Sequence, residues 1–167
     1  ADPETYIKYV QTLLGYCITG EISEQIFLIL IGDGSNGKGV LLSLLHSVFK
    51  SLITDLSSGD FTASKMNLAS NDAKVFHKLV GKRIGVLDET QKNCRLNMTM
   101  VKKMTGLGEK EKVECKALYK DCYDSLMHFK LLMATNHCPK INTTEHSEIR
   151  RLAFVHFDRT FVDAHQL

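Results

Sequence analysis

The chain lacks a charge excess, a paired set of cysteines and an apolar run long enough to cross a membrane. Its 21 Lys and Arg stand against 19 Asp and Glu, a formal net charge of +2. So small a balance gives no general attraction for nucleic acid, and any such surface must be local. The five cysteines, Cys17, Cys94, Cys115, Cys122 and Cys138, contain no CxxC pair. Their odd count and irregular spacing predict free thiols and a reducing, intracellular compartment. His137-Cys138 with Cys122 falls short of the four ligands that tetrahedral zinc takes. No signal peptide is visible, and no run approaches the ~20 apolar residues of a membrane span, so no membrane partner is expected. Repeats and low-complexity linkers are missing too.

What is present is ordinary for a soluble globular protein: 44% hydrophobic and 24% charged residues. At 167 residues one domain is the default. A chain of this size buries roughly 70% of its unfolded surface, enough for a sizeable core. Ala1-Asp2-Pro3 reads as an appended leader and stays outside the fold argument. Both termini fall in segments that read as structured, which predicts a piece of something longer. The expected organisation is a helical lead-in over 1–24, a core over 25–162 and a short tail over 163–167.

One stretch carries most of the chemical information. Gly32-Asp33-Gly34-Ser35-Asn36-Gly37-Lys38-Gly39 follows the apolar run Gln25–Ile31 and precedes a helix-like stretch from Val40. Strand, glycine-rich loop, helix, with Lys at the loop's end, is the pattern of a phosphate-binding loop. Glycines let successive backbone N–H groups face a polyphosphate. The helix N-terminus, with the Val40 amide in its first turn, adds positive partial charge, and Lys38 adds a full one. Gly39 departs from the pattern, because a Ser or Thr hydroxyl usually binds Mg²⁺ there. Val40 does not restore that hydroxyl.

Periodicity predicts a helix over Thr5–Ile18, a strand over Gln25–Ile31 and a helix from the loop to about Lys50. A turn is expected at Ser57–Asp60, then a helix over Asn67–Leu79 and a buried strand over Ile84–Leu87. A helix is expected next over Asn97–Thr105. Two short strands, Val113–Tyr119 and Asp121–Asp124, flank Lys120. A buried strand over Phe129–Thr135 and a last one over Phe154–Phe157 complete the series. Buried strands alternating with helices predict an α/β domain with a mainly parallel sheet.

Such sheets bind ligands at the carboxyl ends of their strands. The second buried strand ends in Asp88-Glu89: Asp88 would help hold Mg²⁺ through its water shell, and Glu89 would polarise an attacking water. An isolated pair of this kind is more often a solvated strand cap; the preceding loop and helix favour function. The third buried strand ends in Thr135-Asn136, whose amide would orient the water or touch the γ-phosphate. Arg150-Arg151 come last. A guanidinium from either could stabilise transition-state charge, in a neighbour's site or its own, or the pair could be salt-bridged.

In this order the motifs resemble the superfamily 3 helicases, a branch of the AAA+ ATPases, and in particular the primase–helicases of poxviruses, other large DNA viruses, phages and plasmids. The matching segments are GDGSNGKG, GKRIGVLDE, LNMTMVKKMTG, ALYK, FKLLMATNHCPKI, and the arginine pair before LAFVHFDRTF, spanning Gln25 to Val162. The resemblance implies ATP and Mg²⁺ as cofactors. It implies hydrolysis in a ring, usually a hexamer, that moves along single-stranded DNA among other replication proteins at a viral replication site, in the host cytoplasm rather than the nucleus. Family members can carry Gly after the Lys. The family's DNA-gripping hairpin maps to about residues 110–124, with Lys112, Lys116, Tyr119 and Lys120 as the contacts. Glu109, Glu111 and Glu114 interleave there and nearly cancel the lysines, so a plain solvated hairpin is the competing reading. Two other functions compete: a nucleotide-dependent assembly or DNA-binding module with little hydrolysis, motivated by Gly39, and a small-molecule P-loop kinase, disfavoured because no arginine-rich lid is visible.

Overall fold

Phe27–Ile31 forms β1, a run of bulky apolar residues with its first four buried. In a strand successive side chains face opposite ways, and burial of the whole run requires cover on both faces. The computed structural model describes residues 2–61, 69–87, 95–106 and 112–162. Among these, five parallel strands make one sheet. They are β1, β2 (Ile53–Leu56), β3 (Ile84–Leu87), β6 (Lys130–Thr135) and β7 (Leu152–His156), in the spatial order β2-β3-β6-β1-β7. Two further strands, β4 (Lys112–Lys116) and β5 (Cys122–Leu126), pair as a separate antiparallel hairpin. The expected α/β fold with a parallel sheet flanked by helices, and a hairpin ahead of β6, is what the chain adopts.

Alternation along β1 divides the core. Leu28 and Leu30 join the cluster that packs against α1 (Pro3–Ile18) and α2 (Lys38–Phe49). Phe27 and Ile29 join the opposite cluster, with α3 (Ala69–Leu79) and α4 (Met98–Thr105). Each fully buried side chain of this size contributes roughly 1.5–3 kcal/mol. Val75, Phe76 and Leu79 face inward from α3 as the periodicity predicts, while Leu68 lies outside the described residues. The Asn97 side chain caps α4 by accepting from the Met100 amide at 3.2 Å. Tyr6 of α1 binds the outer edge of β7: its hydroxyl donates to the His156 carbonyl at 3.0 Å and accepts from the His156 amide at 2.7 Å.

Several boundaries differ from expectation. Asp2 and Pro3, set aside as a leader, start α1: the Asp2 carboxylate caps the Thr5 amide at 3.1 Å and Pro3 occupies the first turn. β2 is a strand the periodicity missed, being four residues long with a half-exposed middle. The expected turn at Ser57–Asp60 is a 3₁₀ turn over Ser58–Phe61. The hairpin strands are shifted because Tyr119 sits in the left-handed region, φ 59°, and turns the chain between them. β7 starts two residues early, after a single-turn helix, α5 (His146–Ile149).

Lys130 opens β6 and is 3% exposed. Its ammonium donates to the Thr19 carbonyl and to Thr19 Oγ1, and lies 4.4 Å from the Tyr16 ring centre, so it ties β6 to the end of α1. Burial pushes its pKa down from 10.5 to about 8, Cys17 opposing and Arg83 assisting. Burial likewise pushes the Cys17 thiol up from 9.0 to about 11. Between pH 8 and pH 9 the unfolded chain holds a proton on Lys130 that the folded chain releases, so stability rises with pH. Above pH 9 the unfolded Cys17 ionises while the folded thiol does not, which offsets the Lys130 rise so that stability levels off. Denaturant titrations at stepped pH should show a gain of about 1 kcal/mol between pH 8 and 9. Lys130→Met should flatten that rise.

Candidate nucleotide site

The loop after β1 owes its shape to backbone conformations that glycine adopts at no steric cost. Gly34 and Gly37 have φ of 70° and 91°, with Ser35 between them at 47°. Gly32 is needed for a different reason. A Cβ there would lie 2.4 Å from the Phe157 carbonyl oxygen and 2.4 Å from Asn36 Nδ2. Gly37 caps α2, whose first residue is Lys38.

Lys38 is 7% exposed. A buried cation is tolerated only where oxygen acceptors replace its water. Its ammonium donates to the Gly32 carbonyl at 2.5 Å, to Asn36 Oδ1 at 3.0 Å and to Asn136 Oδ1 at 3.1 Å. Asn136 comes from the end of β6, 98 residues further along the chain. The turn that presents it is built by Thr135, 1% exposed, whose hydroxyl donates to the His137 carbonyl at 2.9 Å and accepts from the His137 amide at 3.2 Å. The three oxygens around the ammonium occupy positions that phosphate oxygens could take.

A cleft of about 450 Å³ opens beside this cluster, within the size range of small-molecule sites. The loop, Val40 and Leu42 line one side. Val86 and Leu87 at the end of β3, and Ala134 and Asn136 at the end of β6, line the rest. Thus the first and third strand-end motifs meet. Asp88 and Glu89 follow Leu87 in sequence and lie outside the described residues. Asp33, Ser35, Gly39 and Val40 are exposed and Asn36 is buried.

A polyphosphate fits the loop: glycines remove the Cβ atoms that would crowd it, the α2 N-terminus faces it, and a cation stands at its end. For Mg²⁺ the described residues supply little. Gly39 has no hydroxyl, and no cluster of three His, Cys, Asp or Glu occurs among them.

The arginine pair divides. Arg151 is 3% exposed. Its guanidinium donates to Thr105 Oγ1 and to the Gly106 carbonyl, both at 2.7 Å, and its Nε donates to the Ser147 carbonyl at 3.2 Å. A group so enclosed has no reach toward a phosphate, so Arg151, a finger candidate from sequence, is placed as an internal brace. Arg150 is exposed and donates to Gln25 Oε1. Both precede Leu152, which pairs with Phe27 at the opposite end of β1 from the loop. Five residues at ~3.3 Å each put Arg150 about 15 Å from its own loop.

The hairpin candidates also separate. Tyr119, 96% exposed, and the exposed Lys120 sit at the tip beside Leu118, 70% exposed. Lys112 lies at the base, lining a hollow with Asp72 and Lys103. Lys116 is half-buried. Lys112 and Lys116 share a face with Glu114 and its cross-strand partner Asp124, so that face is charge-balanced. Residues 109–111 lie outside the described residues.

Sequence reasoning placed Phe157 at the end of the last strand but missed that the chain from there crosses the loop. The Phe157 amide donates to the Ile31 carbonyl at 2.8 Å, Asn36 Nδ2 donates to the Phe157 carbonyl at 3.3 Å, and the Phe161 amide donates to the Ser35 carbonyl at 2.7 Å. No periodicity marks it; the only signal is its place directly after a strand that neighbours β1.

Comparison with known proteins places the chain. A helicase-named protein of Acanthamoeba polyphaga mimivirus is 28% identical over 155 residues, 93% of this chain and 16% of that protein. A primase-named protein of African swine fever virus is 28% identical over 153 residues, 86% of this chain and 15% of that protein. The chain thus spans about one-sixth of the length of these curated relatives. The fold is shared with the C-terminal region of NrS-1 at a TM-score of 0.58 and 17% identity, over 81% of this chain and 30% of that one. It is shared with JCV helicase at 0.58 and 12% identity, over 93% and 41%. The resemblance read from the motifs agrees with these names: the two viral relatives are named as a helicase and a primase, and one neighbour in fold is named a helicase. Residues 30–151 match a family described as one of unknown function, DUF5906, and the chain belongs to that family.

Proposed function

We propose that this chain is the nucleotide-hydrolysing motor core of a viral replicative DNA helicase. The loop between β1 and α2 binds the phosphates of ATP, with Lys38 on the outer ones. Asn136 shares the Lys38 ammonium with the loop and orients water or the γ-phosphate. Mg²⁺, held through Asp88, would neutralise charge between the outer phosphates, and Glu89 would polarise the attacking water. Arg150, remote from its own loop, acts in the site of a neighbouring subunit, which calls for a ring, a hexamer in the full-length protein. The single observation that carries this reading is the convergence of Lys38 and Asn136, 98 residues apart, on one cleft. ATP turnover by the chain and its Lys38→Ala variant tests it.

Single-stranded DNA is the proposed track, met by the hairpin tip. An exposed aromatic can stack on a base of any identity, and Lys120 beside it can meet phosphate. Tyr119→Ala should weaken single-stranded DNA binding by about 5- to 150-fold. Lys112→Ala, at the charge-balanced base, should change it by less than about fivefold by the surface-pair scale. Fluorescence anisotropy with a labelled oligonucleotide at fixed salt measures both. Equal losses would move the contact away from the tip.

A further inference from the structure

Phe161 is an aromatic residue held against the phosphate-type loop with most of its surface exposed. Its backbone is fixed, since its amide donates to the Ser35 carbonyl at 2.7 Å. Its ring stands against the loop: a Cβ built on Gly37 would lie 3.5 Å from Phe161 Cε2. Yet the residue is 69% exposed. Val40, in the first turn of α2 and lining the same cleft as Gly37, is 75% exposed. Two apolar side chains are therefore left in water beside the turn where a bound polyphosphate would sit.

Phosphates held by this loop deliver the rest of their molecule to its rim. In a nucleotide that remainder is a sugar and a flat, apolar-faced base. We propose that the Phe161 ring is the platform on which that nucleobase stacks, with Val40 extending its apolar edge. The proposal rests on the phosphate-loop reading and adds a second subsite to it. An aromatic face holds any base by its π surface, so the platform strengthens binding of nucleoside triphosphates without selecting among bases. The crossing segment then has two roles. Its backbone braces the loop through Ser35 and Asn36, and its side chain holds the base.

Titration calorimetry of the 167-residue chain with ATP, GTP and inorganic tripolyphosphate separates the two subsites. Phe161→Ala keeps the amide that binds Ser35 and removes only the ring. It should weaken ATP and GTP alike by about 5- to 150-fold and leave tripolyphosphate unchanged. Phe161→Tyr should restore nucleotide binding, and melting temperatures should match across the series. Unchanged ATP affinity in Phe161→Ala, or equal losses for ATP and tripolyphosphate, would overturn the platform while leaving the loop intact. If neither ligand binds the unaltered chain, or if Lys38→Ala binds tripolyphosphate as well as the parent, the loop reading fails and takes the platform with it.

Discussion

Replacing Lys38 by Ala should reduce ATP turnover to background while leaving the fold in place. The ammonium is the one full positive charge that the described loop brings to its own cleft, and charge on the transferring phosphoryl group is what such an enzyme must stabilise. Loss of that charge amounts to several orders of magnitude in rate. The protein should survive the change. The Gly32 carbonyl, Asn36 and Asn136 released by the substitution open onto a cleft where water can replace the ammonium. Unchanged circular dichroism and a melting temperature within a few degrees would separate lost chemistry from lost structure. Lys38→Met, which keeps the apolar stem, should fail in the same way, because it is the charge that matters.

The two adjacent arginines should give opposite results. Arg151→Ala removes a buried guanidinium that donates to Ser147, Thr105 and Gly106 and leaves the Gly106 carbonyl and Thr105 hydroxyl without that donor. Breaking such a set costs about 3 kcal/mol, seen as a lower denaturation midpoint. Arg150→Ala touches an exposed residue and should change stability by about 0.5 kcal/mol or less. Its effect should fall on catalysis in the assembled protein, where loss of a guanidinium acting on a neighbour's phosphates costs about 10³- to 10⁵-fold in rate. Mixing Arg150→Ala with Lys38→Ala protein offers a further distinction. Each variant retains what the other lacks, so mixed rings should recover some turnover if the finger acts between subunits. A stable Arg151→Ala protein with full activity would remove the brace. An Arg150→Ala ring with normal turnover would remove the finger.

Legibility followed burial. β1 and β3 are apolar along their whole length, and β6 is apolar between Lys130 and Thr135, because both sheet faces are covered, and that left an unambiguous pattern in the sequence. β2, Ile-Thr-Asp-Leu at the sheet edge, has only its end residues buried and reads like any connector. The loop was legible because its glycines and lysine stand at the spacing of a phosphate-binding pattern between a strand and a helix. The approach of Asn136 to Lys38 was suggested by strand order, since a parallel sheet brings the carboxyl ends of its strands together. The arginines were not separable by sequence. Two identical neighbours take opposite fates here because one side chain reaches Thr105 and Gly106, and the other reaches Gln25. Nor was the role of Phe157 and Phe161 visible, because backbone hydrogen bonds carry it and leave no mark on residue choice.

The central claim, an assembling nucleotide-driven motor, is tested most directly by steady-state ATP turnover per chain measured against protein concentration, with and without single-stranded DNA, beside Lys38→Ala. A rate that climbs with concentration, rises further with DNA and vanishes in the variant is the expected result. A rate that stays flat and equal to the variant's at every concentration, with ATP still bound, would contradict it and identify a nucleotide-binding module in which Gly39, without a hydroxyl for Mg²⁺, supports binding alone.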